Sequence, residues 1–259
     1  MKIKSVLLIV CGLILFNPSF KAYSAVNHKT YRGKFQISGI FTYLLDGSAD
    51  YEYIEEPDGS RIYDGRFSWD FSSSRCKCSI SGQFFNNRQS GEWHYTEEPI
   101  DRFYTVNKKE ITLNFNDLGY LNGDFRFYTY TNNYGDETKL DITGKFENGT
   151  LEACTLNRSG NVRLSKFNEE YKNVKFTSTG NPTGTWTYQE RLDKYPITVS
   201  FDSYGKVSKA GYRDPRTGDW IDCGYASTRI PSTVYDLIRR AVAPLFMRST
   251  PGMKKISFK

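Results

Sequence analysis

The chain has 259 residues, of which 38% are hydrophobic, 16% aromatic and 25% charged, and its formal net charge is +6. This balance does not argue for a nucleic-acid-binding protein, which needs basic residues concentrated over one face of the domain. The high aromatic content and the presence of only three methionines favour strands, because Phe, Tyr and Trp fit a pleated, half-buried surface.

The first 25 residues have the layout of a secretory signal peptide. A basic start is followed by an apolar run over residues 6–16 and by small residues at Ala22 and Ala25. The run is too short to span a bilayer, which takes about 20 apolar residues. We therefore expect an exported protein that is periplasmic, secreted or at the cell surface. Lipidation of Cys11 is a minor alternative, because Val10 precedes it where a small residue is expected.

Without residues 1–25, which contain three lysines and no acids, the chain has 32 basic and 29 acidic residues, a net charge of +3. Seven basic residues lie from Arg229 onward, against Asp236 alone. The basic character is therefore a property of the C-terminal segment, residues 229–259.

A glycine two residues before an aromatic recurs along residues 31–220. The copies begin at Gly33, Gly39, Gly65, Gly82, Gly91, Gly123, Gly144, Gly184 and Gly218. Copies such as Gly91-Glu-Trp93-His-Tyr95 place two aromatics on one face of a strand. The polar runs between copies have turn composition, and the glycine allows a positive φ or the close approach of another backbone.

These features predict a mainly β fold, an elongated antiparallel sheet of repeated β-hairpins over residues 26–228. Neighbouring hairpins would share one continuous aromatic face as their core. Nine aromatics are assigned to this repeat core: Phe35, Phe67, Phe84, Trp93, Tyr95, Phe125, Phe146, Trp186 and Tyr188. From Gly91 onward the second glycines of the copies, at positions 91, 123, 149, 184 and 218, are 26 to 35 residues apart.

The pattern resembles MORN-type repeats, in which two glycine-aromatic strands flank an Asn-Gly loop. The nearest matches are residues 120–125 and 144–149. The spacing is longer than the family's unit of a little over twenty residues, and no regular acidic residue follows the first glycine. The resemblance implies scaffolding and contacts with membranes or protein partners.

A C-terminal helix is predicted from Thr233 to Ala243, with Thr233 as its cap. Val234, Leu237, Ile238, Ala241 and Val242 follow helical spacing and would dock it as a cap onto the final hairpins. Four basic residues form a possible partner or membrane surface: Arg239, Arg240, Lys254 and Lys255.

Four cysteines follow the signal segment, at positions 76, 78, 154 and 223. They are interpreted as buried thiols or structural disulfides, and three complete pairings are possible. A zinc site is disfavoured, because two of the four cysteines lie far from Cys76 and Cys78 in the sequence. No metal or other cofactor is predicted.

No catalytic set emerges from the residue types and their spacing. His28 and His94 have no motif that supplies a nucleophile and an orienting acid. The acidic pairs Glu55-Glu56 and Glu97-Glu98, with Asp58 and Asp101, are interpreted as solvated loop tips.

Two functional hypotheses remain. The first is an exported, non-catalytic repeat protein that binds or scaffolds another protein or a cell-envelope component, with no nucleic-acid partner. The alternative is a carbohydrate-active module, either a glycan-binding domain or a glycoside hydrolase. Buried tryptophans would favour the first hypothesis, and exposed coplanar aromatics or a close pair of carboxylates would favour the second.

Overall fold

The computed structural model describes residues 27–37, 45–100, 105–163, 165–177, 181–190, 195–224 and 226–242. The predicted signal peptide and the copy beginning at Gly39 lie outside these residues. The described ranges contain the following elements: β1 (Lys29–Ile37), β2 (Leu45–Glu55), β3 (Arg61–Ser72), β4 (Cys76–Phe85), β5 (Arg88–Pro99), β6 (Thr105–Phe115), β7 (Gly123–Asn133), β8 (Asp136–Glu147), β9 (Thr150–Val162), β10 (Ser165–Phe176), β11 (Pro182–Thr183), β12 (Thr185–Glu190), β13 (Ile197–Phe201), β14 (Val207–Arg213), β15 (Trp220–Asp222) and α1 (Ala226–Val242).

The strands form one antiparallel sheet in which spatial order follows chain order. Each strand pairs with the strand before and after it from β1 to β10, and the order continues through β12, β13, β14 and β15. The short strand β11 pairs with β10 beside this path. The predicted fold class, a long sheet of successive hairpins followed by a helix, is confirmed.

One face of the sheet, called here the inner face, carries the core. Its central row crosses twelve strands in register: Gly33, Ala49, Trp69, Ile80, Tyr95, Ile111, Phe127, Ile142, Leu156, Tyr171, Tyr188 and Ile197. All of these side chains from Ala49 onward are buried. Because alternate residues of a strand point to opposite faces, one continuous row of apolar side chains serves as the core of the whole sheet.

Glycines that precede two alternating aromatics have left-handed backbone conformations. Gly65, Gly91, Gly123 and Gly184 have φ angles of 107°, 66°, 99° and 73°. An L-residue rarely adopts such angles, so these four copies of the motif require glycine at this position. Irregular register beside Gly65 and Gly91 shows that the strands are bent at these points.

Two glycines that precede a single aromatic, Gly82 and Gly144, have a different role. Gly82 and Gly144 do not have a positive φ, and a Cβ atom at either position would overlap an aromatic ring, that of Trp93 or Phe125. The same holds for Gly47 and the ring of Trp69. Because these glycines lack a side chain, aromatic rings of the neighbouring strand can pack directly on their backbone.

Long and short connections alternate at one end of the sheet. The loops beginning at Glu56, Asn116 and Thr177 each close with a hydrogen bond from that residue's N–H to the carbonyl four residues on, at 2.8–2.9 Å. Two-residue turns lie between them, at residues 86–87 and 148–149, with positive φ at both positions as in type I′ hairpins. The three loops start 60 and 61 residues apart. Over β2 to β10 the structural repeat is therefore a pair of hairpins, twice the unit suggested by the glycine spacing. The next loop of this kind, at Asp202, follows Thr177 after only 25 residues, so the repeat does not continue beyond β10.

The C-terminal helix starts earlier than predicted. It begins at Ala226, so residues 226–228 belong to the helix and not to the sheet, and the assignment of Thr233 as its cap was wrong. A turn leads into it, with Ala226 N–H donating to the Cys223 carbonyl and Ser227 Oγ donating to the Gly224 carbonyl at 2.7 Å. Pro231 lies inside the helix, where it lacks the N–H of an ordinary helical residue.

The helix docks on the last strands of the sheet. Ala226, Ile230, Val234 and Ile238 are buried at a spacing of four residues, and α1 contacts β13 and β14. The predicted docking through Val234 and Ile238 is confirmed, and Leu237 is partly buried. The side chains of Ala241 and Val242 lie outside the described residues. Among the described residues, no helix has the length and apolar character that a membrane crossing requires.

Candidate functional site

The outer face, opposite the core, is covered by polar side chains arranged in rows. One row runs across β3 to β9 in register: Ser68, Ser81, His94, Thr112, Arg126, Thr143 and Thr155. Every one of these residues is exposed or half-buried. The outer face therefore combines short hydroxyl side chains with charged ones on a regular β-surface.

Ion pairs between neighbouring strands fix several charges of this face. Arg126 binds Asp141 through two hydrogen bonds of 3.0 and 2.7 Å, and this contact raises the pKa of the guanidinium. Glu52 accepts from the backbone N–H of Arg66 at 2.9 Å and from its side chain. That backbone hydrogen bond is the main cause of the lowered pKa of Glu52.

A polar groove interrupts the outer face across β7 to β10. It consists of two adjoining hollows of about 550 and about 560 Å³ that share Ala153. The first is lined by Asp124, Phe125, Thr143, Gly144, Lys145, Ala153, Cys154, Thr155 and Asn173. The second is lined by Glu147, Asn148, Thr150, Glu152, Ala153, Lys175, Phe176 and Thr183. We call these residues together the outer groove.

Two irregularities in strand pairing explain why the groove lies there. The register of β8 and β9 shifts between Lys145 and Phe146, and that of β9 and β10 shifts between Tyr171 and Val174. Bulges of this kind bend a strand and increase its twist. Ala153, opposite Lys145 on the outer side, has only a methyl side chain, so it fills little of the space left by the bends.

Two carboxyl groups meet inside the second hollow. A hydrogen bond with Glu152, followed by the charge of Glu152, raises the pKa of Glu147. Lys145 lies 3.9 Å from Glu152, between Nζ and Oε2. The second hollow therefore holds two exposed, neighbouring carboxyl groups with an ammonium group beside one of them.

A second polar cluster surrounds His94 on the outer face. Its Nε2 lies 2.8 Å from Glu92 Oε1, and its Nδ1 lies 3.4 Å from Thr112 Oγ1. The order hydroxyl, imidazole, carboxylate is that of a hydrolytic triad. However, β5 is paired with β4 and β6 on both sides of His94, so the surrounding N–H groups are used by the ladders and do not form an oxyanion hole. Sequence inspection missed this cluster because Thr112 comes from a different strand.

The aromatics assigned to the repeat core lie on the inner face. Eight of the nine are buried, and Phe35 is partly buried against them. Trp93 and Trp186 are 0% and 1% exposed, and each indole N–H donates to a backbone carbonyl at 3.1 Å. Their neighbours Tyr95 and Tyr188 are buried on the same side.

The acidic residues weighed as catalytic candidates do not share a site. Glu97 and Glu98 lie within β5, so their assignment to a loop tip was wrong. Glu97 is 3.3 Å from Lys109, between Oε2 and Nζ. The Ser60 side chain, and next the Ser60 N–H that donates to Asp58 Oδ1 at 2.8 Å, lower the pKa of Asp58.

The remaining residues of the sequence prediction are described only in part. Asp101, Lys254 and Lys255 lie outside the described residues. Arg239 and Arg240 lie within α1, where only their backbone is described. All four cysteines present in the described ranges are free thiols, and only Cys76 and Cys78 approach each other.

Comparisons with known proteins do not name a family. No protein-family model, no curated protein and no solved structure matches the chain. The likeness to MORN-type repeats therefore stays a resemblance in local sequence pattern.

Proposed function

We propose that the chain is an exported, non-catalytic binding or scaffolding module whose outer face contacts another protein or a cell-envelope component. The observation that carries this proposal is the separation of the two faces. The inner face uses its tryptophans and tyrosines as core, while the outer face keeps polar side chains accessible in regular rows.

The outer groove is the part of this face best suited to hold a partner. Its hollows have the volume of ligand pockets, about 300–1,000 Å³. Hydroxyl, amide, carboxylate and ammonium groups line it together, so it offers donors and acceptors to an extended polar segment. Exposed polar groups of this kind provide orientation and specificity more than affinity.

A carbohydrate-active module remains the second candidate, supported by the Glu147–Glu152 pair. Glycosidases hold their two carboxyl groups about 5–10 Å apart, so that the sugar and a water fit between them. Glu147 and Glu152 are exposed neighbours in an open hollow, not two carboxyl groups facing each other across a cleft. The pair therefore favours glycan binding over glycan hydrolysis.

Cosedimentation of the mature protein tests the proposal. We expect it to sediment with the envelope fraction of its source cells, and Thr155→Arg in the groove to weaken this association. Thr112→Arg is the matched control, since it places the same charge in the same polar row outside the groove. Equal binding by both variants, or release of reducing sugar from a glycan, would contradict the proposal.

The basic C-terminal segment is proposed as a possible peripheral membrane contact. Basic residues near an anionic lipid surface contribute about 1 kcal/mol each. Neutralising Arg239, Arg240, Lys254 and Lys255 together should weaken binding to anionic vesicles and leave binding to neutral vesicles unchanged. If the parent protein does not bind anionic vesicles, α1 serves as a cap alone.

A further inference from the structure

Cys76 and Cys78 form a pair of thiols at the start of β4. They are two residues apart in one strand and therefore lie on the same face, with 4.0 Å between their sulfur atoms. Cys78 is 3% exposed, whereas Cys76 is half-buried. Cys78 thus lies in the core, and Cys76 lies at its edge, where it is only partly covered.

Cys78 belongs to the apolar core, Cys76 packs against that core, and charged groups lie beside both. Cys78 lies opposite Glu97 in β5, and Glu97 is paired with Lys109 in β6 at 3.3 Å. Ser73 Oγ lies 3.9 Å from the Cys76 sulfur. Burial, and next the neighbouring Cys76, raise the pKa of Cys78, Glu97 raises it further, and Lys109 acts in the opposite direction.

A disulfide within this pair is hindered by the strand itself. Residues two apart in an extended strand have Cα atoms about 6.6–6.8 Å apart, from a rise of about 3.3–3.4 Å per residue. Disulfides span Cα distances of about 4.4–6.8 Å. Closing the bond would require bending β4 where it pairs with both β3 and β5.

The same spacing suits two sulfur ligands on one metal ion. Two metal–sulfur bonds of about 2.3 Å span about 4.0 Å at an angle of roughly 120° and about 4.6 Å when in line. Among the described residues there is no group of three or more His, Cys, Asp or Glu side chains that could hold a metal ion, which removes the usual four-ligand zinc geometry here. Thiolates select soft ions, of which Cu(I) is the common biological example.

We propose that Cys76 and Cys78 bind one Cu(I) ion as a two-thiolate site. Binding releases two thiol protons and leaves a site of charge −1 beside Lys109. The Lys109 ammonium stabilises that charge and the Glu97 carboxylate opposes it. Entry occurs from the side of Cys76, the less buried member of the pair.

Titration of the reduced, oxygen-free mature protein with Cu(I) against a chromophoric Cu(I) chelator tests the site. We expect one equivalent bound per chain and its loss in both Cys76→Ser and Cys78→Ser. Cys223→Ser, which removes another half-buried thiol, should bind as the parent does. Lys109→Met should weaken binding about tenfold and Glu97→Gln should strengthen it, within the range typical of groups around a metal site.

A second measurement needs no variant and is independent of their folding. Cu(I) should protect Cys76 of the parent protein from alkylation by iodoacetamide, as followed by peptide mass spectrometry. Retention of full binding by Cys78→Ser would overturn the proposal. So would a native chain in which mass spectrometry finds Cys76 and Cys78 joined as a disulfide that binds no Cu(I).

Discussion

The first ten strands and the last four cover the apolar side chains of the sheet in different ways. Strands β1 to β10 have 9 to 13 residues each, and β12 to β15 have three to seven. In the long-strand region, large rings lie on glycines of the adjacent strand, as Trp93 does on Gly82. In the short-strand region, α1 covers β13 and β14. A single sheet can therefore obtain a core from its own aromatic face, but only where the strands are long enough to hold it.

Truncating a tryptophan in each region should give the largest contrast. Trp93→Ala, at 0% exposure, should lower the free energy of unfolding by about 3–5 kcal/mol. Trp220→Ala should lower it by only about 1 kcal/mol, because Trp220 is half-buried, with its ring over Gly211 and with Lys209 Nζ 3.8 Å from the ring centre. Urea unfolding of both variants measures the difference, and equal losses would contradict it.

Removing the helix contact should destabilise the short-strand region by a smaller amount. Val234→Ala deletes two buried carbons and should lower the free energy of unfolding by about 2 kcal/mol. Tyr235→Ala, at the exposed neighbouring position, is the matched control and should change little. Deleting residues 229–259 should also increase the binding of a hydrophobic dye. An unchanged dye signal would show that α1 does not protect the sheet.

The two classes of glycine should respond oppositely to asparagine. Gly82→Ala places a Cβ against the Trp93 ring and should lower the unfolding free energy by about 1–3 kcal/mol. Gly184→Ala meets no atom within 4 Å, but its φ of 73° should make it unfavourable by about 1–2 kcal/mol. Asparagine tolerates this φ, so Gly184→Asn should be milder than alanine and Gly82→Asn more severe. Thermal unfolding of the four variants checks the ranking.

Lowering the pH should produce the smallest change in the free energy of unfolding, through Glu52 in the long-strand region. The lowered pKa of Glu52 means that its interaction with Arg66 stabilises the fold above the ordinary value of 4.5. This contribution is lost as the pH falls through the lower, folded-state pKa. The stability difference between the parent and Glu52→Gln should therefore shrink below about pH 4.5, as measured by urea unfolding at several pH values. A constant difference would contradict this assignment.

The aromatic pattern predicted the sheet and its core because both depend on residues near each other in the sequence. Alternation alone places Trp93 and Tyr95 on one face, and hairpins connect neighbouring strands. The length of the repeat was less evident, since long loops and two-residue turns alternate while the glycine spacing stays near 30 residues. Only the recurrence of the same loop hydrogen bonds at Glu56 and Asn116 shows that the repeat unit is two hairpins and not one.

The groove and the helix start depend on contacts that the pattern does not contain. The groove arises from register shifts near Lys145 and Asn173, and each shift reflects how two strands fit together. The helix start was placed too late because Pro231 usually marks a helix boundary. Burial of Ile230 on the same stripe as Val234 favours continuing the helix through this proline.

The strict agreement between spatial and chain order has a consequence for the speed and route of folding. Since the described strands pair almost entirely with their sequence neighbours, forming the sheet closes only short loops. Topologies of this kind have low contact order and fold faster than sheets with distant strand pairs. Order can begin at any hairpin and spread in both directions, as in other linear arrays. A chain that is synthesised from its N-terminus can thus add each new strand to the edge of a sheet that has already formed.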